Sequence, residues 1–325
     1  MKIIDTHAHY DDEAFDEDRE ALLGGGLKAG GVELVVNVGA TLEGAEKSVA
    51  LARRYPAVYA AVGVHPDEVG IFEHPAAYLE RKRREREEAQ AEARAEATSR
   101  MDTQPEETAA AGVHTEVTAA EEASAITPWE LRTDIRSAED ALGMLRELAA
   151  EERCVAIGEI GLDYHWMVET KDVQQRWFIR QLELSRETGL PINVHSREAS
   201  QDTFDLICRY HAGAGCPGGI IHCFSGSAEL AAEYVKRGYC IGVGGVVTYK
   251  NSRVLKEVVR RVPLSALVTE TDSPYLAPVP HRGERNDSRN IRHVIAAIAQ
   301  LREMDEEACA AALEANARRV YRLEG

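Results

Sequence analysis

The sequence predicts an α/β fold of the (β/α)8 TIM-barrel class, and two patterns carry that expectation. Eight short segments read as buried strands, rich in β-branched residues and bounded by glycine, proline or polar turns. Stretches with helical periodicity separate most of them, and alternation of strand with helix implies a parallel sheet. The second pattern is chemical. His7, His9, Glu159, His195, His222 and Asp272 all stand where a strand gives way to a loop. Such positions converge only if the strands are parallel neighbours with their carboxyl ends together, as in a closed barrel. A count of eight favours closure over an open doubly wound sheet.

In chain order the strands are KIIDTHAH near residue 4, ELVVNVG near 35, VYAAVGVHP near 61 and CVAIGEIG near 157. LPINVHS near 193, GGIIHCFSG near 221, GYCIGVGGVV near 243 and ALVTETDSP near 269 complete the set. LEGAEKSVALARRY, VQQRWFIRQLELSRETG, AELAAEYVKRG and SRVLKEVVRRV read as helices between them. The last two should stop at Gly238 and Pro263, residues that end helices. The tail from Ile291 to Tyr321 reads as two further helices. One domain over residues 1–325 is expected, with residues 80–136 inserted between strands 3 and 4 on the side of His65. The insertion opens as an Ala-, Glu- and Arg-rich polar helix and continues as a segment poor in large apolar residues. A solvated surface excursion is one reading of it; substrate gating or binding of a protein partner is the other.

Bulk properties narrow the functional classes. No apolar run is long enough to span a bilayer. The first strand begins at once, which leaves no room for a signal peptide and points to a cytoplasmic protein. Cys154, Cys208, Cys216, Cys223, Cys240 and Cys309 are scattered with no CxxC pair, as expected of reduced thiols. The formal charge of −17 argues against a protein that coats nucleic acid with its whole surface. A phosphodiester substrate remains compatible if metal ions and a few cationic side chains hold it locally. Closed barrels have no free edges, so a monomer is the simplest expectation.

Alternation along a strand puts His7 and His9 on one face, where they can chelate one ion. Such a pair is also compatible with simple packing. Glu159 lies between apolar residues and glycines, a costly place for a lone carboxylate unless a metal or an arginine offsets it. Asp272 closes VTETD, with Glu270 two positions earlier on the same face. Four histidines with two carboxylates exceed the needs of one catalytic zinc. Paired metals about 3.5–4 Å apart generate hydroxide and clamp the attacking and leaving oxygens of a phosphoryl group. Mg²⁺, Mn²⁺ and Zn²⁺ are all compatible with this donor set.

DTHAHYD, GVHP, GEIGLDY, HSR, HCFSG, GGVVTYKN and ETDSPYLAPVPHRGERN, in this order, resemble the TatD family of metal-dependent deoxyribonucleases. The resemblance covers nearly everything outside the insertion. It implies that His7, His9, Glu159 and Asp272 hold a first cation and that Glu159, His195 and His222 hold a second, so that Glu159 bridges. It implies that His65 faces the scissile phosphate or the pocket, and that Asp163, Tyr164, Arg197, Arg282 and Arg285 line the rim. A guanidinium fork matches phosphate oxygens, though each arginine also reads as an ordinary surface charge. Glu270 is expected to orient a ligand and Cys223 to face away from the site. The chain departs from the family in reading NDSRN where Glu-Pro is common, and in its insertion.

The resulting expectation is hydrolysis of DNA phosphodiester bonds at single-stranded or frayed ends, with Asp272, Glu159 and His65 as catalytic residues. Asp272 would take the proton of the attacking water as well as bind metal. Related barrels hydrolyse amides, lactones and esters, and aminoacyl-tRNA deacylation belongs to the same chemistry, so these stand as alternatives. A catalytically idle scaffold is a third reading, and the intact ligand set speaks against it.

Overall fold

The computed structural model describes residues 1–85, 87–88 and 134–323. Eight strands form one parallel sheet in sequence order: β1 (Ile3–Ala8), β2 (Val32–Val38), β3 (Val58–Val62), β4 (Cys154–Asp163), β5 (Ile192–Arg197), β6 (Gly219–Ile221), β7 (Tyr239–Val243) and β8 (Leu267–Thr269). The two ends of the sheet meet. Ala8 pairs in parallel with Ser273, the His9 amide donates to the Ser273 carbonyl at 2.8 Å, and the Asp272 amide donates to the His7 carbonyl at 2.9 Å. The molecule is the expected TIM barrel.

Capping chemistry explains why the intervening helices begin where they do. Thr41 accepts from the Gly44 amide ahead of α1 (Leu42–Arg54), Thr170 from Val173 ahead of α3 (Lys171–Thr188), and Ser227 from Leu230 ahead of α5 (Ala228–Lys236). Helix α2 (Ala138–Ala149) leads into β4, and α4 (Ser200–Tyr210) follows β5. Gly238, at φ +87°, follows the end of α5, and Val262 ends α6 (Arg253–Arg261) in the extended conformation that Pro263 imposes. Helices α7 (Ile291–Arg302) and α8 (Glu306–Tyr321) form the tail.

The core runs from the strands onto the last helix. Ile4, Val36, Val38, Ala61, Val155, Ile220, Cys240 and Val268 cluster with Ala317 and Tyr321. The Tyr321 hydroxyl donates to the Thr6 carbonyl at 2.9 Å and lies 2.9 Å from Asn193 Nδ2, tying α8 to β1 and β5. All six cysteines are free.

The chain divides into two compact units, Met1–Val69 with Leu142–Gly325, and Gly70–Ala141. The barrel strands all belong to the first. In the second, residues 75–85 and 87–88 are helical, laced by ion pairs such as Arg81–Glu85 at 3.3 Å. The insertion expected at 80–136 otherwise lies outside the described residues until 134. No helix among the described residues is long and apolar enough to cross a membrane.

Candidate metal centre

The six residues expected at strand ends converge around Glu159, although His7, Glu159 and His195 lie inside β1, β4 and β5, and only His9, His222 and Asp272 lie past the ends of β1, β6 and β8. Glu159 is buried on β4, with its amide donating to the Gly39 carbonyl at 3.0 Å. Two positions on, Gly161 adopts φ +149° opposite His195, and a side chain there would run into the His195 carbonyl. Glycine is what allows β4 and β5 to approach closely at this level.

The two oxygens of Glu159 face different rings. Oε2 lies 3.6 Å from His7 Nε2 and 3.8 Å from His9 Nε2. Oε1 lies 3.0 Å from His195 Nδ1, 3.9 Å from His222 Nε2 and 4.0 Å from His65 Nε2. Asp272 closes the first group, its Oδ1 standing 3.4 Å from His9 Nε2, 3.6 Å from His222 Nε2 and 3.9 Å from His7 Nε2. Strand alternation does not place Asp272, because β8 ends at Thr269 and Asp272 has φ +57°. A left-handed turn and its amide bond to His7 aim the carboxylate instead.

Donor chemistry fits divalent cations here. His9 Nδ1 lies 2.8 Å from the Val38 carbonyl, which can only accept, so Nδ1 carries the proton and Nε2 turns inward. His195 has Nε2 against Asp163 Oδ2 at 3.0 Å, which leaves Nδ1 for the centre. His222 Nδ1 lies 3.3 Å from Glu270 Oε1, an ion-pair contact without hydrogen-bond alignment. Anchoring of the outer nitrogen by a carbonyl or carboxylate is the arrangement found behind metal-ligating histidines. The inner nitrogens of His7 and His9 are 3.2 Å apart, and the His7 and His222 rings stack at 3.5 Å between centroids. Three clusters of ligand atoms in this region have the size of a cation site: His7, His222 and Asp272; His7, His9 and Glu159; and His65, Glu159 and His195.

The electrostatics follow from the same contacts. Burial would raise Glu159, but His195 and His7 hold it well below the usual carboxylate range. Asp272 is likewise lowered, with His222 and His9 overcoming burial. Burial opposes charge on His9, His195 and His222, yet the facing carboxylates raise them to about 10, 9 and 9. His7 is lowered by burial and by His222. His65 drops to about 3, from burial and then from His195. The Asp67 amide donates to His65 Nδ1 at 3.2 Å, so a neutral His65 carries its proton on Nε2, the nitrogen turned toward Glu159.

The expected rim residues divide. Asp163 is buried: its Oδ2 holds His195, while Oδ1 accepts from the amides of His165 at 2.8 Å and Trp166 at 3.0 Å. Tyr164 directs its hydroxyl to Asp202 Oδ2 at 2.7 Å. Arg197 and Arg282 are exposed, over the rings of Trp166 and Tyr249. Arg285 forks onto Asp18 at 2.8 and 2.6 Å, so its guanidinium is already occupied. Cys223 is a protonated thiol, pushed well above its usual range by burial and by Asp272.

Two carboxylates, Asp67 and Asp5, matter more than the sequence shows, and Glu270 stands behind a histidine as expected. Asp67 forms a further cluster with His65 and Asp163, and burial followed by Asp163 raises it to about 6. Asp5 accepts from Thr271 Oγ1 and Ser288 Oγ at 2.6 Å each, bracing the turn before Asp272. It shares the strand parity of His7 and His9, a signal available in DTHAH. Glu270 accepts from the Cys223 amide at 2.6 Å as it faces His222.

Comparison with known proteins gives the family. The family model described as TatD related DNase matches residues 4–322. The chain belongs to that family. It is a metal-dependent hydrolase of the TatD group, 33% identical over 321 residues to the Bacillus subtilis (strain 168) "uncharacterized metal-dependent hydrolase YabD", with 99% of each chain covered. It is 28% identical over 313 residues to the "3'-5' ssDNA/RNA exonuclease TatD" of Cronobacter sakazakii, covering 94% of this chain and 93% of the relative. The crystal structure of YjjV, a TatD homolog from Escherichia coli K12, superposes with a TM-score of 0.70 at 25% identity, over 99% of this chain and 98% of that one.

Proposed function

We propose that this TatD-family hydrolase is a phosphodiesterase that shortens DNA from single-stranded or frayed ends with two divalent cations. The observation that carries the reading is the division of Glu159. Its Oε2 faces His7 and His9 while its Oε1 faces His195 and His222. One cation would be held by His7, His9, Glu159 and Asp272, the other by Glu159, His195 and His222. When bound, such cations activate water and neutralise phosphate charge.

The side chains supply the rest. Asp272, ionised and near the open face, takes the proton of the attacking water. His65 is neutral at pH 7 and offers Nε2–H to a non-bridging phosphate oxygen, stabilising the charge that builds in the transition state. Asp163 fixes the ring of His195. Arg197, exposed at the end of β5, meets a backbone phosphate. A net charge of −17 repels a long duplex, so single strands and ends are the favoured substrates. The nuclease named among the relatives supports the same choice.

The substrate class is tested by offering nuclease-free wild type a 5′-labelled single-stranded oligonucleotide and a panel of cyclic amides and lactones, each with Mg²⁺, Mn²⁺ or Zn²⁺. A ladder of shortened oligonucleotides is expected. Turnover of the panel with the oligonucleotide left intact would replace this reading with carbon-centred hydrolysis.

A further inference from the structure

The loop that follows β4 carries an apolar surface that the chemistry above leaves unused. Trp166, Met167 and Val168 are 62%, 41% and 46% exposed. Contiguous exposed apolar side chains of this size mark contact sites. The loop is also braced. Asp163 Oδ1 accepts from the amides of His165 and Trp166, and the Tyr164 amide donates to the Arg197 carbonyl at 2.9 Å. The same Asp163 holds His195 through its other oxygen at 3.0 Å. Trp166 thus stands three positions along the chain from the carboxylate that holds His195, at most about 10 Å of backbone.

An arginine and a histidine flank the indole. The guanidinium carbon of Arg197 lies 5.3 Å from the Trp166 ring centroid, and the His165 ring meets the indole edge-on at 4.7 Å. An exposed aromatic face beside an exposed arginine is the combination that holds single-stranded nucleic acid, one group stacking a base and the other meeting a phosphate. On a surface of net charge −17 such local pairing is what a polyanion requires. Bases inside a duplex have both faces covered, so only an unpaired base can use the indole.

We infer that Trp166 is a stacking platform for an unpaired base of the substrate strand, with Arg197 on the adjoining phosphate, and that preference for single strands resides in this loop. The inference takes its substrate from the phosphodiesterase reading, but its test needs no turnover.

Fluorescence anisotropy with the full chain in EDTA compares fluorescein-labelled oligothymidylate with an abasic tetrahydrofuran oligomer of equal length. Wild type should prefer oligothymidylate. Trp166→Ala should weaken oligothymidylate binding about tenfold, the order expected of one stacked base, and leave the abasic strand unchanged. Trp166→Phe should keep most of the affinity, and Arg197→Ala should weaken both polymers. With Mn²⁺ restored, Trp166→Ala should raise KM on oligothymidylate by the same factor with kcat within about twofold. Equal affinity of wild type and Trp166→Ala for oligothymidylate, or an equal loss on both polymers, overturns the inference. A base-dependent loss with no cleavage under any metal would uphold the platform and sink the phosphodiesterase reading.

Discussion

His195 Nε2 and Asp163 Oδ2 lie 3.0 Å apart, while the other nitrogen of the same ring lies 3.0 Å from Glu159 Oε1. One imidazole is thus clamped between two carboxylates of a single strand. Asp163 fixes the proton on Nε2 and leaves Nδ1 for a cation. Asp163→Asn should therefore weaken binding of the second cation about 10–100-fold with little change in secondary structure. Metal content after dialysis against graded Mn²⁺ measures it. Unchanged affinity would remove Asp163 from the support of the site.

Gly242 lies against Glu270, and a Cβ at that position would overlap the Glu270 carboxylate. Gly242→Ala should displace Glu270, release the outer nitrogen of His222, and cost about 1–3 kcal/mol of stability as an overpacked core position. Activity should fall well beyond what that stability loss explains at a temperature where the variant is folded. Full activity in a folded variant would show that His222 needs no anchor.

Cation uptake should release protons. In the metal-free protein His9, His195 and His222 are raised to about 10, 9 and 9, so they are protonated at pH 7. Ligation requires their neutral forms, and apparent affinity must then rise with pH across the range up to those values. Calorimetric titration with Mn²⁺ in two buffers of different ionisation enthalpy reads the proton count. Binding heats independent of buffer would contradict the protonated resting state.

A separate pH effect belongs to His211, buried away from the centre between Ser185 Oγ at 2.8 Å and the Tyr239 hydroxyl at 2.6 Å. Burial, followed by Arg186, lowers it from 6.5 to about 4. Between those values the unfolded chain binds a proton that the native ring refuses. Its contribution is therefore complete above pH 6.5 and is lost as pH falls to about 4, by roughly 3 kcal/mol. Denaturant unfolding of wild type and His211→Gln across this window should show a shallower loss in the variant. Parallel curves would assign the acid sensitivity elsewhere.

Much of this was legible in the sequence because two-residue alternation is a local property. It placed His7 and His9 on one face, and hydrophobic runs with intervening helical periods marked all eight strands. It failed where the backbone leaves the strand. Asp272 sits beyond β8 at φ +57°, so its aim comes from the His7 carbonyl. Asp163 shares the parity of Glu159 and Gly161, which places it inward, yet the motif invited a reading at the rim. Arg285 looked available because its partner Asp18 is distant in the chain, and no local pattern announces such a pair. Asp67 became visible only when the fold brought His65 and Asp163 together.

The central claim is that Glu159 would be shared by two cation sites whose residues together serve phosphodiester cleavage. The most direct test strips metal from wild type and Glu159→Ala, titrates both with Mn²⁺, and follows bound metal and cleavage of a 5′-labelled single-stranded oligonucleotide in the same samples. Two ions per wild-type chain with cleavage restored in step, and a folded variant deficient in both, is the expected result. Near-normal turnover by Glu159→Ala, or cleavage complete at one ion per chain, would contradict the account.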